Sequence, residues 1–131
     1  MTQPFIAPFN GARVPISETL QAQLIEHGEG RCVLRYPVLP EYTNPMGQLQ
    51  GGMFGVMMDS AMAIAAGGIA TATMQINIFR PVSDGWLTVT GEVVKRGKRI
   101  LYAEAEVRDE HGNLVARGNQ NGIAREIPPG Q

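Results

Sequence analysis

The stretch GGMFGVMMDSAMAIAAGG, from Gly51 to Gly68, has a glycine pair at each end and is apolar almost throughout. Between the two pairs only Asp59 and Ser60 are polar. A helix on a protein surface shows a polar face, whereas a helix that is apolar all round is covered on every side. The stretch is too short and too rich in Gly and Ala to cross a membrane, which takes about 20 strongly apolar residues. It therefore predicts a buried helix around which the rest of the chain is arranged.

Asp59 is the one carboxylate on this apolar helix. An ionised carboxylate in buried surroundings is costly unless it is paired, hydrogen-bonded or open to water. A structural role, such as capping a loop or pairing with an arginine, would satisfy this requirement as well as a chemical role would. We interpret Asp59 as a functional residue, and the observations below favour that reading.

Composition limits the classes of protein that the chain can belong to. It has 131 residues, 44% of them hydrophobic, which is the size of one domain with one core. A formal net charge of -1 argues against a nucleic-acid-binding protein, whose surface would be strongly basic. With the single cysteine, Cys32, and no segment resembling a signal peptide, we expect a reducing, cytoplasmic location. Cys32 lies in an alternating apolar run, so we interpret it as a core thiol rather than a nucleophile.

Residues 1–16 are rich in proline and predict an irregular arm that packs on the body of the domain or on a neighbouring subunit. Alternating patterns predict two strands, Glu18 to His27 and Arg31 to Val38, joined by a turn at residues 28–30. His27 beside this turn is interpreted as a solvated residue. We assign residues 17–127 to a single domain and residues 128–131 to a tail.

The segment from Pro40 to Gln50 contains two prolines and a glycine, and it predicts the loop that leads into the central helix. Gly51 and Gly52 then stand at the helix start, where the first N–H groups have no intrahelical acceptor and the helix dipole leaves partial positive charge. Such an end can bind an anion or an oxygen that develops negative charge. The alternative is that the glycines only let the helix approach a strand closely.

From Thr71 onward the patterns predict strands only. Thr71 to Phe79 alternates strictly, which places Thr71 and Thr73 on the face opposite Met74 and Ile76. Three further strands follow, at residues 86–96, 100–108 and 114–125. His111 falls in the turn between the last two and is interpreted as a surface residue. The whole pattern predicts an α+β fold, in which one long helix is wrapped by a curved antiparallel sheet of two strands before it and four after.

A single curved sheet covers one side of a helix well and the other side poorly. Because this helix has almost no polar face, we predict that a second copy of the chain covers the rest. The minimal unit would be a homodimer, and we expect assembly into a homotetramer. No nucleic-acid or membrane partner is expected.

The ordered set of residues around the helix resembles the hotdog-fold acyl-CoA thioesterases of the phenylacetate-pathway (PaaI-type) group. The resemblance runs from about Glu18 to Arg125, and it rests on the following residues: Asn44, Gly47, Gln50, Gly51, Gly52, Asp59, Ala61, Phe79, Arg80, Pro81, Gly91, Arg96, Gly97, Lys98, Arg99, Asp109, Gly112, Leu114, Val115 and Ala116. In that group the loop before the helix usually reads Asn, variable residues, Gly and then His-Gly-Gly. This chain departs from the pattern at Gln50, where the family most often has His.

The resemblance implies hydrolysis of an acyl-CoA thioester to a free acid and coenzyme A. The Gly51 N–H would stabilise the oxyanion, and Asn44 or Gln50 would orient the substrate or water. Asp59 would act as a general base on water or as a nucleophile, in a site shared with the neighbouring subunit. Thr71 would hold the attacking water, with Thr73 as the alternative.

Residues 95–99 form a dense basic run. The same resemblance implies that this run lies near the nucleotide end of coenzyme A. The alternative is that it is only a solvated hairpin without a ligand. The predicted contacts with coenzyme A are Arg80, Arg96, Gly97, Lys98 and Arg99. No metal and no separate cofactor are expected, because coenzyme A is part of the substrate. Two rival functions remain. A hotdog dehydratase is disfavoured because neither histidine is near the helix, whereas a non-catalytic acyl-CoA-binding domain is favoured by Gln50.

Overall fold

A computed structural model describes residues 3–126 and residue 128 of the chain. The central helix, α2, spans Gly51–Ala66 and ends at Gly67, whose left-handed conformation (φ 76°) closes the helix. The other elements are a short helix α1 (Pro15–Thr19), a 3₁₀ turn (Pro40–Tyr42) and the strands β1 (Gln23–Gly28), β2 (Arg31–Pro37), β3 (Ile69–Ile78), β4 (Trp86–Arg96), β5 (Ile100–Asp109) and β6 (Leu114–Ala124). The predicted central helix and the predicted strands after it are confirmed.

All the strands belong to one antiparallel sheet with the order β1-β2-β4-β5-β6-β3. Helix α2 lies on the inner face of this sheet, where its buried side chains join those of the strands to form the core. The α+β architecture predicted from the sequence, one helix wrapped by an antiparallel sheet, is therefore confirmed.

Sheet and helix approach each other closely at Gly91 on β4. A Cβ atom added to Gly91 would lie 2.6 Å from the backbone carbonyl of Ala61 in α2, so only glycine fits there. A Cβ at Gly52 would meet no atom within 4 Å, and a Cβ at Gly51 would only touch the Ile78 side chain at 3.4 Å. The glycine pair at the helix start is therefore not what brings helix and sheet together.

We expect Gly91→Ala to lower the free energy of unfolding by about 2 to 3 kcal/mol, because rigid backbone opposes the added methyl group. Gly52→Ala is the matched control. It adds the same group in open space on a helix and should raise the free energy of unfolding by about 0.5 to 1 kcal/mol. Equilibrium urea denaturation measures both changes. Equal stabilities for the two variants would contradict this account of the packing.

The prediction for the first strand was wrong at its start. Residues Pro15–Thr19 form helix α1, and β1 begins only at Gln23. Pro15 occupies the first turn of that helix, where a proline loses no hydrogen bond. The turn after β1 is also shorter than predicted. Gly28 pairs with Arg31, which leaves Glu29 and Gly30 as a two-residue loop, both with positive φ.

The arm forms an ordered hairpin, for which we use the name N-terminal hairpin (residues Phe5–Val14). Its two sides are joined by backbone hydrogen bonds from the Ala7 N–H to the Ala12 carbonyl (2.7 Å) and from the Val14 N–H to the Phe5 carbonyl (2.9 Å). Phe5, Ala7 and Ala12 are buried against the domain. In the structure the arm thus packs on its own chain, one of the two predicted locations.

Strand β3 is an edge of the sheet, and its outer side has no neighbouring strand within the described residues. Its apolar side chains contact α2, yet they stay open to solvent: Met74 is 42% exposed and Ile78 44%, and Phe79 just beyond the strand is 56% exposed. The apolar face of β3 therefore contacts the helix but stays largely open to solvent.

No helix within the described residues is long and apolar enough to cross a membrane. In the same part of the chain, no cluster of three or more His, Cys, Asp or Glu side chains could hold a metal ion. Most of the predicted tail, residues 129–131, lies outside the described residues.

Candidate functional site

Asp59 sits about halfway along α2, partly buried, with a hydrogen-bonded partner on the sheet. The side-chain amide of Gln120 on β6 donates from Nε2 to Asp59 Oδ1 at 3.1 Å. The carbonyl oxygen of the same amide accepts a short hydrogen bond from the Thr71 hydroxyl on β3. Three elements that are far apart in sequence thus bring Asp59, Gln120 and Thr71 into one polar chain of contacts.

The strict alternation predicted for β3 is wrong because the strand contains a β-bulge. Thr71 pairs with Gly122 and Thr73 pairs with Asn121, so one extra residue, Ala72, is inserted between them. The insertion places Thr71 and Thr73 on opposite faces of the sheet. Thr71 therefore reaches Gln120 on the helix side, whereas the Thr73 hydroxyl donates to Asn121 Oδ1 (2.6 Å) on the outer side. Of the two threonines proposed from the sequence, the geometry favours Thr71.

Gln120 is the residue that sequence reasoning missed. It is fully buried, and an amide in that position needs a partner for both its N–H₂ group and its oxygen. A signal was present in the sequence. The inward positions of β6 otherwise carry small residues, Ala116, Gly118 and Gly122, so a glutamine in the same register is out of place in a plain core.

We expect Gln120→Leu to lower kcat about ten- to hundredfold, since a hydrogen bond to a charged group contributes roughly 1.5 to 3 kcal/mol. KM should change much less, because Gln120 is expected to act through Asp59, to which it donates. The control is Gln23→Leu, which removes an exposed glutamine from β1, at the other edge of the sheet. Steady-state kinetics and the melting temperature of each variant are the measurements. A loss in Gln120→Leu that appears only in KM would contradict a positioning role.

The start of α2 holds the second group of predicted residues. Gln50 is the N-cap residue with an extended backbone (φ -60°, ψ 133°), and its exposed side chain makes no capping hydrogen bond. Gly51 follows at the first helical position, where its N–H has no acceptor inside the helix. The arrangement leaves an N–H at the positive end of the helix dipole.

Asn44 shapes the loop before this helix. Its side-chain oxygen accepts hydrogen bonds from the N–H groups of Met46 (2.9 Å) and Gln48 (3.3 Å). The oxygen of Asn44 is therefore occupied by its own loop, and its N–H₂ group is the part of the side chain suited to contact a substrate. A role in orienting substrate is thus open to Asn44 only as a hydrogen-bond donor.

Asp59 and Gly51 of one chain do not meet. Eight residues separate them along α2, which corresponds to about 12 Å at the rise of an α-helix. Ile78, at the end of β3, lies beside Gly51, whereas Thr71 near the start of β3 lies beside Asp59 through Gln120. The candidate residues thus form two separate groups along one helix.

The residues predicted to contact coenzyme A lie at two opposite ends of the sheet. Lys98 and Arg99 lie exposed in the turn between β4 and β5, and Arg96 at the end of β4 donates from Nη2 to the Ala66 carbonyl at the C-terminus of α2 (3.1 Å). That bond places a positive charge at the negative end of the helix dipole, which is a structural role. Arg80 follows the end of β3, at the opposite end of the sheet. One subunit alone therefore does not gather Arg80 with residues 96–99.

The cysteine and the two histidines of the chain are the other side chains that could act as a nucleophile or a base. Burial raises the pKa of the Cys32 thiol to about 12, so it stays protonated in the core. His27 and His111 are both exposed in or beside turns, and the His27 ring lies 6.3 Å from the ring of Phe9. These positions agree with the interpretation made from the sequence.

Clefts in the structure differ in how they relate to Asp59. Two clefts of about 380 and 400 Å³ lie on the outer face of the sheet and do not include Asp59. Glu106, which lines both, is paired with Arg108. A smaller cleft of about 140 Å³ has Asp59 in its wall. We place the candidate site at this smaller cleft because chemistry needs a reactive group as well as space.

Comparison with known proteins identifies the family. The family model described as "Thioesterase superfamily" matches residues 46–116, which is more than half of the chain. The chain belongs to the thioesterase superfamily. The match includes the helix start, Asp59, Thr71 and the turn with Lys98 and Arg99, and it ends before Gln120.

The chain is also similar to individual proteins over more of its length than the family model covers. Acyl-coenzyme A thioesterase 13 of Homo sapiens is 26% identical over 104 residues, covering 72% of this chain and 74% of that protein. The structure of a conserved protein of Pseudomonas aeruginosa is 28% identical with a TM-score of 0.81, covering 86% of this chain and 94% of that one. The E. coli PaaI protein from the phenylacetic acid degradation operon, at 21% identity and a TM-score of 0.81 over 89% of this chain and 87% of that one, shares the fold. The predicted hotdog fold and the resemblance to this group are confirmed.

Proposed function

We propose that the protein hydrolyses an acyl-CoA thioester to a free acid and coenzyme A. The observation that carries the proposal is the partly buried carboxylate of Asp59 on the helix of a thioesterase-superfamily domain. This carboxylate accepts a hydrogen bond from Gln120, whose own oxygen accepts one from Thr71. A hydrogen-bonded carboxylate at a cleft can take a proton from water or attack a carbonyl carbon, and Asp59 serves the reaction in one of these two ways.

In the hydrolysis, an oxygen nucleophile adds to the thioester carbonyl carbon, and the carbonyl oxygen becomes an oxyanion. The Gly51 N–H at the start of α2 stabilises this oxyanion, a contribution of roughly 3 to 4 kcal/mol for a well-placed donor. The carbon–sulfur bond then breaks, and the thiolate of coenzyme A takes up a proton. With Asp59 as the nucleophile the product of this step is an anhydride, which water hydrolyses to the free acid and the Asp59 carboxylate. The amide groups of Asn44 and Gln50 orient the substrate at the same helix end, and the Thr71 hydroxyl orients the attacking water.

Each active site combines the helix start of one subunit with Asp59 of another. Two observations support this arrangement. Gly51 and Asp59 of one chain are about 12 Å apart along α2, whereas reacting groups must come within about 3 to 3.5 Å. Strand β3 is an open edge with exposed apolar side chains, which suits pairing with a second copy of the chain. We therefore propose a homodimer as the minimal unit, assembling further into a homotetramer.

The basic turn between β4 and β5 binds the phosphates of coenzyme A in this proposal. Lys98 and Arg99 are exposed and form no ion pair within the described residues, so both charges are free for a ligand. Gly97 keeps the turn tight, Arg96 anchors it to α2, and Arg80 adds a charge from another subunit.

We expect Lys98→Ala combined with Arg99→Ala to raise KM for an acyl-CoA about tenfold or more, since charge-assisted contacts with phosphate are lost. The same substitutions should leave KM for the matching acyl-pantetheine, which lacks the nucleotide, nearly unchanged. Kinetics with the two substrates side by side give the comparison. Equal losses for both would remove the phosphate-binding role.

Release of free thiol from a panel of acyl-CoAs tests the proposed reaction. The second candidate function, a non-catalytic acyl-CoA-binding domain, is favoured by Gln50, which cannot titrate as a histidine would. Turnover of any acyl-CoA that is abolished in Asp59→Asn supports hydrolysis. Binding of acyl-CoAs with no thiol release across the panel would support the binding domain instead.

A further inference from the structure

The N-terminal hairpin forms one wall of the cleft that contains Asp59. Ala7, Phe9 and Ala12 of the hairpin face Asp59, Ala63 and Ile64 of α2 across a space of about 140 Å³. Val14 and the polar residues Arg13 and Ser60 complete the lining, most of which is apolar. The hairpin lies outside residues 46–116, so the part of the chain that matches the superfamily does not include this wall.

The hairpin is held firmly enough to act as a wall. Glu18 of α1 accepts a hydrogen bond from the Phe5 N–H (3.1 Å) and another from Arg13 Nε (2.8 Å), so it ties both sides of the hairpin to the domain. The hydrogen bond from Arg13 holds the pKa of Glu18 below its usual value, and the bond from Phe5 acts in the same direction. Gly11, with φ 75°, provides the left-handed residue that the turn of the hairpin requires.

A cleft with mostly apolar walls and an aspartate among its lining residues suits a ligand whose apolar part ends in a reactive polar group. An acyl thioester has this chemistry, because a hydrocarbon chain ends in the carbonyl that is to be attacked. Size then limits the chain. An apolar cavity of about 150 Å³ in another protein holds one benzene molecule, which has six carbons.

We propose that this cleft binds the acyl group of the substrate and that the N-terminal hairpin sets its length, so that the preferred acyl groups have about six carbons. The proposal rests on the acyl-CoA hydrolysis proposed above. Phe9 and Ala7 are the specificity-determining positions, because they act in opposite directions. Removing the Phe9 ring lengthens the cleft, and enlarging Ala7 shortens it.

Binding of S-alkyl-CoA thioethers with two to ten carbons tests the proposal without any chemistry, because a thioether has no carbonyl to hydrolyse. Isothermal titration calorimetry gives the dissociation constant of each. In the parent protein we expect affinity to rise about fourfold per methylene group, the value for full burial, and to stop rising near six carbons. In Phe9→Ala the rise should continue to chains longer by about two carbons, and in Ala7→Leu it should stop at shorter chains.

Ile6→Phe is the matched control, because Ile6 is exposed on the other side of the same hairpin and should leave the profile unchanged. Should Ala7→Leu fail to fold, Phe9→Ala decides alone, since Phe9 is only partly buried. Affinity that does not depend on chain length, or an end point that is the same in Phe9→Ala and the parent, overturns the proposal. Thiol release from acyl-CoAs is measured separately. Its absence together with the expected binding profile would reject the hydrolysis and leave the acyl site standing.

Discussion

Replacing Asp59 with asparagine is expected to lower kcat about a thousandfold and to change KM much less, since a positioned acid, base or nucleophile contributes roughly 10² to 10⁴ in rate. Asparagine keeps the shape of the side chain and an oxygen that can accept from Gln120, so the fold should persist. It removes the negative charge that activates water or attacks the carbonyl. The measurement is the rate of hydrolysis of the best acyl-CoA substrate, detected as release of free thiol.

Asp84→Asn is a matched control for this experiment, because it removes the same charge from an exposed loop after β3. Thermal melting of both variants separates a chemical effect from unfolding. If purified, folded Asp59→Asn hydrolyses the substrate at nearly the parental rate, the candidate site is wrong.

Mixing two inactive variants is expected to restore activity if each site draws on two subunits. One parent is Asp59→Asn. The other is Gly51→Pro, which deletes the N–H proposed to stabilise the oxyanion. Proline is tolerated at the first helical position, and the backbone of Gln50 (φ -60°, ψ 133°) already has the extended form that a residue before proline requires.

After random exchange of equal amounts, half of the dimers contain one subunit of each kind. Each mixed dimer has one doubly damaged site and one intact site, so about a quarter of the parental site count should return. Gly51→Ala in place of Gly51→Pro is the control, since it keeps the N–H and adds only a methyl group beside Ile78. Exchange verified by mass spectrometry with no return of activity would reject the shared site.

Asp59 could be predicted as a site residue from the sequence, but its hydrogen-bond partner could not. Its place as the lone carboxylate on an apolar helix was visible in the spacing, and the family match includes it. Its partner was not visible. Gln120 follows it by 61 positions, and only the pairing of β6 between β5 and β3 brings that amide under the helix.

Thr71 illustrates a second limit. A prediction from alternation assumes that successive side chains of a strand point to opposite faces of the sheet. The sequence from Thr71 to Phe79 fits this assumption. The bulge at Ala72 breaks it, because the partner strand β6 has one residue fewer between its paired positions. A bulge is a property of two paired strands, so one strand read alone does not reveal it.

The N-terminal hairpin was foreseen only as an arm. Prolines and a glycine predicted irregular chain, which is a statement about which backbone conformations each residue allows. The hairpin itself depends on Glu18, which ties Phe5 and Arg13 to helix α1, and on burial of Ala7 and Ala12 against α2. These contacts cross the predicted boundary between arm and domain, and composition alone does not contain them.

The sequence by itself determined the central helix, the antiparallel strands after it, the α+β class and the family, because these follow from the local period of apolar residues and from an ordered set of residues along the chain. Only the tertiary structure decided which polar groups meet: Asp59 with Gln120 and Thr71, Arg96 with the end of α2, and the hairpin with the cleft. The physical reason is that periodicity says which face of an element is buried, whereas strand order and register determine what that face contacts.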